Sequence, residues 1–231
     1  MTLTKVDRIN IAIDGPAGAG KSTVARRVAV QLGYIYIDTG AMYRAVTLLA
    51  QHQGIDASQG EALRLLVQDI DLQLTPTATG QKIVLNNEDV TEQIRSREVT
   101  NQVSLYAANE HVRNKLGEMQ RQLAQQKGIV MDGRDIGTHV LPTAELKVFL
   151  TASVEERARR RHRELTESNY VPLEQLEAEI AQRDKLDESR AIAPLVQASD
   201  AILLDSSDMN IEEVVAYIVK LSQSKLMEVS Q

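Results

Sequence analysis

The 231-residue chain has no cysteine, no tryptophan, one phenylalanine and five prolines. Without cysteine it can form no disulfide, no thiolate zinc site and no cysteine nucleophile. Aromatic residues make up 3% of the chain and hydrophobic residues 43%, so the core must be mainly aliphatic. No apolar run is long enough to span a bilayer, and the first residues lack the apolar centre of a signal peptide. The expectation is a soluble, cytoplasmic protein. Positive charge is not in surplus either: 26 Lys and Arg stand against 32 Asp and Glu, a formal net charge of −6. That argues against coating a nucleic-acid polymer or a membrane, while leaving room for a local basic pocket. No repeat or low-complexity tract interrupts the chain, and its length suits one core carrying a small insertion.

What is present begins with an alternation of strand and helix. Ile9–Ile13 reads as a short buried strand, followed by a Gly-rich turn and a helix from Lys21 to about Leu32. Ile35–Ile37 is a second strand ending at Asp38, and Ala41 to about Gln53 is helical. Strand, helix, strand is the unit of a parallel sheet. Asp71–Leu74 and Lys82–Leu85, joined by Thr75-Pro76-Thr77-Ala78-Thr79-Gly80, read as an antiparallel insertion over 70–97. Helical patterning resumes over 96–126, and strands are expected at Ile129–Met131, Leu146–Leu150 and Ala201–Leu204. Charged helices are expected over about 153–167 and 173–190, then an amphipathic helix from Ile211 with a tail frayed after about Ser222.

The spacing Gly15-x4-Gly20-Lys21-Ser22 is a complete P-loop pattern, spelled out as Gly15-Pro16-Ala17-Gly18-Ala19-Gly20-Lys21-Ser22-Thr23. Glycines let the backbone close around phosphate oxygens, and the following helix N-terminus turns its amides toward the anion. Lys21 supplies charge for the outer phosphates of ATP, and the Ser22 hydroxyl suits Mg²⁺. Asp132, at a strand end, is the second candidate at the metal, with Asp14 as the alternative. A chance match to this pattern in a chain of this length is about one in a hundred.

A triphosphate loop does not name the reaction. A guanine-reading Asn-Lys-x-Asp element is missing, since Asn114-Lys115-Leu116-Gly117 lacks the aspartate. A small-molecule kinase needs a second anion site, and the chain has the pieces. Asp38-Thr39-Gly40-Ala41-Met42-Tyr43-Arg44 and Asp132-Gly133-Arg134-Asp135 both start at strand ends, which face the ligand crevice of open α/β sheets. Arg183, Asp187 and Arg190 follow on one late helical segment at spacings of four and three, hence on one face. Each arginine alone could be a solvated surface charge. Five arginines also crowd Glu155–Arg163, ordinarily a solvated helix face, but in a kinase a lid that closes over ATP and excludes water. Arg157 and Arg161 are the pair expected at the ATP phosphates, with Arg159 and Arg163 as the alternative pair. A kinase for another acceptor, or a nucleotide-binding switch module, would share the P-loop.

Taken together, these motifs, with Asp135-Ile136-Gly137-Thr138 and Arg190-Ala191-Ile192-Ala193-Pro194-Leu195, resemble bacterial cytidylate kinases of the nucleoside monophosphate kinase group. The resemblance implies an α/β fold: a three-layer P-loop kinase core over 1–69 and 98–231, with a parallel sheet flanked by helices. It also implies a small antiparallel substrate-binding insertion over 70–97 and a helical lid over about 153–170. It implies transfer of the ATP γ-phosphate to CMP or dCMP with Mg²⁺; a monomer is expected. Carried over residue by residue, Arg44, Arg134 and Arg190 match the arginines on the acceptor phosphate. Asp187 matches the carboxylate on the ribose, with Arg183 its neighbour near the phosphates. Ser104, Arg113 and Asp135 match the residues that read cytosine, and Asp38 and Tyr43 line the acceptor site. Lys21, Arg134 and Arg190 are the expected catalytic set. Independently, the N4 amino donor of cytosine suits a carboxylate, whereas the O4 acceptor of uracil does not.

Overall fold

The computed structural model describes residues 8–77, 80–166 and 170–229. The chain forms two compact units, Met1–Tyr36 with Gln126–Gln231, and Ile37–Gln125.

The first unit is built on a five-stranded sheet in the order β2-β6-β1-β7-β8. Its strands are β1 (Ile11–Asp14), β2 (Ile35–Asp38), β6 (Ile129–Gly133), β7 (Leu146–Thr151) and β8 (Ile202–Asp205), with the last residues of β2 opening the second unit. β1 pairs in parallel with β6 and β7, and β7 with β8. All four residues of β1 are buried, as expected of a parallel strand covered on both faces. Register decides what each face carries. Ile11 lies beside Val130 and Leu146, and Ile13 beside Asp132 and Val148. This face packs on α1 (Lys21–Leu32) and α8 (Ile211–Val229) through Val24, Val28, Val214 and Ile218. Asp132 therefore projects toward the start of α1. One position further, Asp14 lies beside Gly133 and Phe149 and turns to the opposite face. A separate apolar cluster of Ala158, Val171, Leu176 and Ile180 joins α6 (Val154–Arg163) to α7 (Leu173–Glu188).

The second unit holds α2 (Thr39–His52), α3 (Gly60–Gln68), α4 (Arg97–Ala107) and α5 (Glu110–Ala124). It also holds a sheet in the order β3-β4-β5, formed by Leu72–Thr77, Gly80–Leu85 and Glu88–Asp89. In the antiparallel β3–β4 pair Leu72 meets Leu85 and Leu74 meets Ile83, which gathers the apolar side chains on one face.

Several expectations change. The helical stretch 96–126 is two helices, because Asn109 caps a new one by accepting from the amides of His111 and Val112. Helix α3 and strand β5 were not anticipated. β5 follows Asn86 and Asn87, both at positive φ, a two-residue hairpin turn. Helix α7 stops at Glu188, so Arg190 lies beyond it rather than on its face. Helix α8 runs on past Ser222 to Val229, with Ser222 buried. Helix α6 ends at Arg163; within the expected lid, residues 167–169 lie outside the described residues, as do 78 and 79 of the insertion turn.

Candidate active site

The Gly-rich loop leaves β1 pressed against β7. A Cβ at Gly15 would stand 1.9 Å from the carbonyl oxygen of Leu150, so no side chain fits. Gly20 takes φ 83° immediately before α1, a left-handed conformation that leads into the helix and leaves its first amides facing out of the loop. Lys21 is buried and its Nζ donates to the Pro16 carbonyl at 2.7 Å. Burial, with Arg134 and Arg183 nearby, holds its pKa well below the usual lysine range, against the pull of Asp132 and Asp14.

The Ser22 hydroxyl donates to Oδ2 of Asp132 at 2.9 Å, and the Tyr36 hydroxyl donates to Oδ1 of the same carboxylate at 2.9 Å. Ser22 thus stands beside a carboxylate across 110 residues of sequence because register turns Asp132 toward α1. Two hard oxygen donors at the mouth of a phosphate loop fit Mg²⁺, which keeps waters and phosphate oxygens as its remaining ligands. Asp14, the alternative, is engaged elsewhere. Its carboxylate accepts from the amides of Ile136 at 2.8 Å and Gly137 at 2.7 Å. Those amides belong to the π-helical turn Ile136–Val140, which follows Arg134 and Asp135. Burial raises the Asp14 pKa to about 6, with Asp135 adding to the rise, while the two amides and Lys21 oppose it.

Arg134 donates through Nε to Oδ2 of Asp187 at 2.8 Å. Burial is the largest single influence on both and opposes charge, but neighbouring charges together outweigh it: Asp187, Asp132 and Asp184 raise Arg134, and Arg134, Arg190 and Arg183 lower Asp187. Arg190 donates from Nε to the Asp187 carbonyl at 3.1 Å. Arg134, Asp187 and Arg190 are therefore brought together.

Arg157, expected at the ATP phosphates, is buried. Its Nη1 donates to Oδ2 of Asp184 at 2.6 Å and to the Ala17 carbonyl at 2.8 Å, and its Nε to the Ala152 carbonyl at 2.9 Å. Asp184 completes the tie by accepting from the Ala17 amide through Oδ1 at 3.2 Å. Arg161 is half-buried on the same helix. Asp184 escaped the sequence reading. A signal existed, because the buried positions of α7 run Leu176, Ile180, Asp184, Asp187, an apolar stripe that turns into carboxylates.

In the second unit, Asp38 caps α2 by accepting from the Ala41 amide at 2.7 Å. Its carboxylate also meets the Arg44 guanidinium, 3.3 Å from Oδ2. A Cβ at Gly40 would lie 3.1 Å from Arg44 Nη1, so the glycine leaves space for this pair. Arg113 is buried, donates to the Ala107 carbonyl at 3.1 Å and lies over the Tyr43 ring at 5.6 Å from its centroid. Ser104 is buried on α4. Asn114–Gly117, the nearest approach to a guanine-reading element, lies inside α5, where Lys115 donates to the Gln68 carbonyl.

A cytidylate kinase family model matches residues 11–224. The chain belongs to the cytidylate kinase family. It is 55% identical to a cytidylate kinase of Exiguobacterium sibiricum over 95% of this chain and 99% of that one. It is 53% identical to a cytidylate kinase of Geobacillus kaustophilus over 95% of this chain and 98% of the relative. Among solved structures, an uncharacterized protein from Eubacterium ventriosum shares the fold, with TM-score 0.51, 11% identity, and 94% and 99% coverage. The family settles the class: an enzyme, a nucleotide-binding kinase on a parallel α/β core. The switch-module reading is set aside. No described helix of this family member is long and apolar enough to cross a membrane.

Proposed function

We propose that this kinase transfers the γ-phosphate of ATP to CMP or dCMP, giving ADP and CDP or dCDP, as a cytoplasmic monomer. The observation that carries the reading is the pairing of a complete phosphate loop with the Ser22–Asp132 contact, in a chain whose curated relatives are cytidylate kinases.

Phosphoryl transfer asks a protein for positioning and charge neutralisation more than for covalent chemistry. The loop amides from Gly18 to Thr23 and Lys21 hold the donor phosphates, with Gly15, Pro16 and Ala17 shaping the loop. Ser22 and Asp132 would hold Mg²⁺, which when bound neutralises phosphate charge. Arg44, Arg134 and Arg190 bind the acceptor phosphate, Arg183 stands near it, and Asp187 takes the ribose. Asp38 and Tyr43 line the acceptor site. An acceptor phosphate oxygen bonds to the γ-phosphorus as the bond from that phosphorus to the β-bridging oxygen breaks, and ADP leaves. No general base is needed, because a phosphate monoester with a second pKa of about 6 is already largely ionised near neutral pH. Lys21, Arg134 and Arg190 stabilise the charge that spreads over the transferring group. Ser104, Arg113 and Asp135 select cytosine. Arg161 is the arginine of α6 assigned to the donor side, while Arg157 acts through the loop it grips.

The test is an acceptor panel. With ATP and Mg²⁺, diphosphate should form fastest from CMP and dCMP and far more slowly from UMP, AMP and GMP. A different preferred acceptor, or ATP turnover that needs none, would overturn the reading.

A further inference from the structure

We propose that Asp184 and Arg157 are positioning residues that couple occupation of the phosphate loop to the binding of the acceptor. The proposal rests on the kinase reading above and adds a route between its two substrates.

The geometry is specific. The peptide units flanking Ala17, inside the phosphate loop, are gripped at both polar groups, the amide by Asp184 and the carbonyl by Arg157. The two gripping side chains are bonded to each other at 2.6 Å and both are buried. The loop also fits closely on α6, since a Cβ at Gly18 would stand 3.3 Å from Cβ of Arg157. Asp184 is part of α7, one residue after Arg183 and three before Asp187. Asp187 in turn takes Arg134 and, through its carbonyl, Arg190. One chain of directed contacts thus runs from a donor-loop peptide to three of the groups assigned to the acceptor, Arg134, Asp187 and Arg190.

A buried ion pair seldom adds net stability over apolar packing, because both ions lose their hydration. Packing alone does not call for one here, as α6 and α7 already share the cluster of Ala158, Leu176 and Ile180. What the pair supplies is a fixed place for Ala17. When the loop closes on a triphosphate, its peptide units reorient, and Ala17 can shift only with Asp184. The same helix carries the acceptor groups, so one substrate changes the affinity for the other. By linkage the effect is equal in both directions.

The experiment is calorimetric titration of CMP into the full-length protein, with and without Mg²⁺ and a non-hydrolysable ATP analogue, and the reverse titration. The wild-type protein should bind each ligand at least about fivefold more tightly when the other is present. In Asp184→Asn, which keeps an acceptor for the Ala17 amide but loses the charge, the ratio should fall toward one. Arg157→Lys should do the same, and the double variant should lose no more than either single one. The Kd of CMP alone should stay near wild type while KM for CMP at saturating ATP rises. A merely structural role would lower Tm and weaken both ligands without changing the ratio. A wild-type ratio of one, or a folded variant of either residue with the wild-type ratio, overturns the proposal. A wild-type protein that does not phosphorylate CMP sinks the kinase reading instead.

Discussion

The two units hold their charged groups in different ways. The first adds to its local contacts a set whose partners are far apart in sequence: Ser22 with Asp132, Asp14 with the turn after β6, Arg134 with Asp187, Ala17 with Asp184. In the second, two of the groups assigned to the acceptor have a partner six residues away, Arg44 in Asp38 and Arg113 in the Ala107 carbonyl. The first arrangement exists only once the parallel sheet has brought its strand ends into line. Those two contacts of the second form with the local helices that carry them. Groups of the first kind should couple activity to stability, and groups of the second kind should separate them.

The largest effect is expected at Lys21. Its truncation to alanine removes the one ammonium buried in the loop and should lower kcat about a thousandfold, with CMP affinity nearly unchanged. Steady-state kinetics with ATP and CMP measure it, and a kcat within tenfold of wild type would remove Lys21 from the catalytic set.

The two modes of holding arginine separate next. Arg134→Ala leaves a buried carboxylate short of its partner and should cost about 2–3 kcal/mol in urea unfolding as well as activity. Arg44→Ala breaks a longer contact, 3.3 Å against 2.8 Å, to a carboxylate that is equally buried but keeps the Ala41 amide, so the loss of stability should be smaller than in Arg134→Ala. Its KM for CMP should still rise at least about tenfold. Equal loss of stability in both variants would break the comparison.

Asp14 adds a pH signature. Its folded pKa of about 6 lies above the ordinary 3.8, so between those values the folded state holds the extra proton. Stability contributed at this position is therefore lost as pH rises from about 4 to 6, then stays level. Asp14→Asn cannot titrate, so its stability relative to wild type should climb across that window, by about 2–3 kcal/mol in all. Unfolding curves at pH 4.5 to 7 measure the slope, and a flat difference refutes the assignment. The smallest effect is on specificity. Asp135→Ala should reduce the preference for CMP over UMP by about tenfold in kcat/KM, and an unchanged preference removes Asp135 from cytosine recognition.

The local features were legible in the sequence for the same reason that they are local. Gly15, Gly20, Lys21 and Ser22 announce their loop by spacing, and β1, β6 and β7 by short apolar runs ending in Asp14, Asp132 or a polar turn. Helix α1 begins and ends where Gly20 and Gly33 place it. Asp184 and Arg157 were not legible as a pair, because 27 residues separate them and each sits among other charges. Arg157 reads as one more surface arginine until α7 is packed against α6. Arg190 shows the limit of helical spacing, since the rule of four and three assumes a helix that in fact ends at Glu188. The hairpin turn at Asn86-Asn87 was readable, but β5 behind it is two residues long and carries no alternation.

The carbonyl of Leu150, 1.9 Å from where a Cβ of residue 15 would be, also bears on how freely this chain can vary. Leu150 is fully buried in a central strand and has nowhere to retreat. In a library randomised at codon 15 and selected for function, only glycine should survive. The same selection at codon 33, where nothing stands within 4 Å, should be held back only by the positive φ of the helix end and should admit asparagine as well.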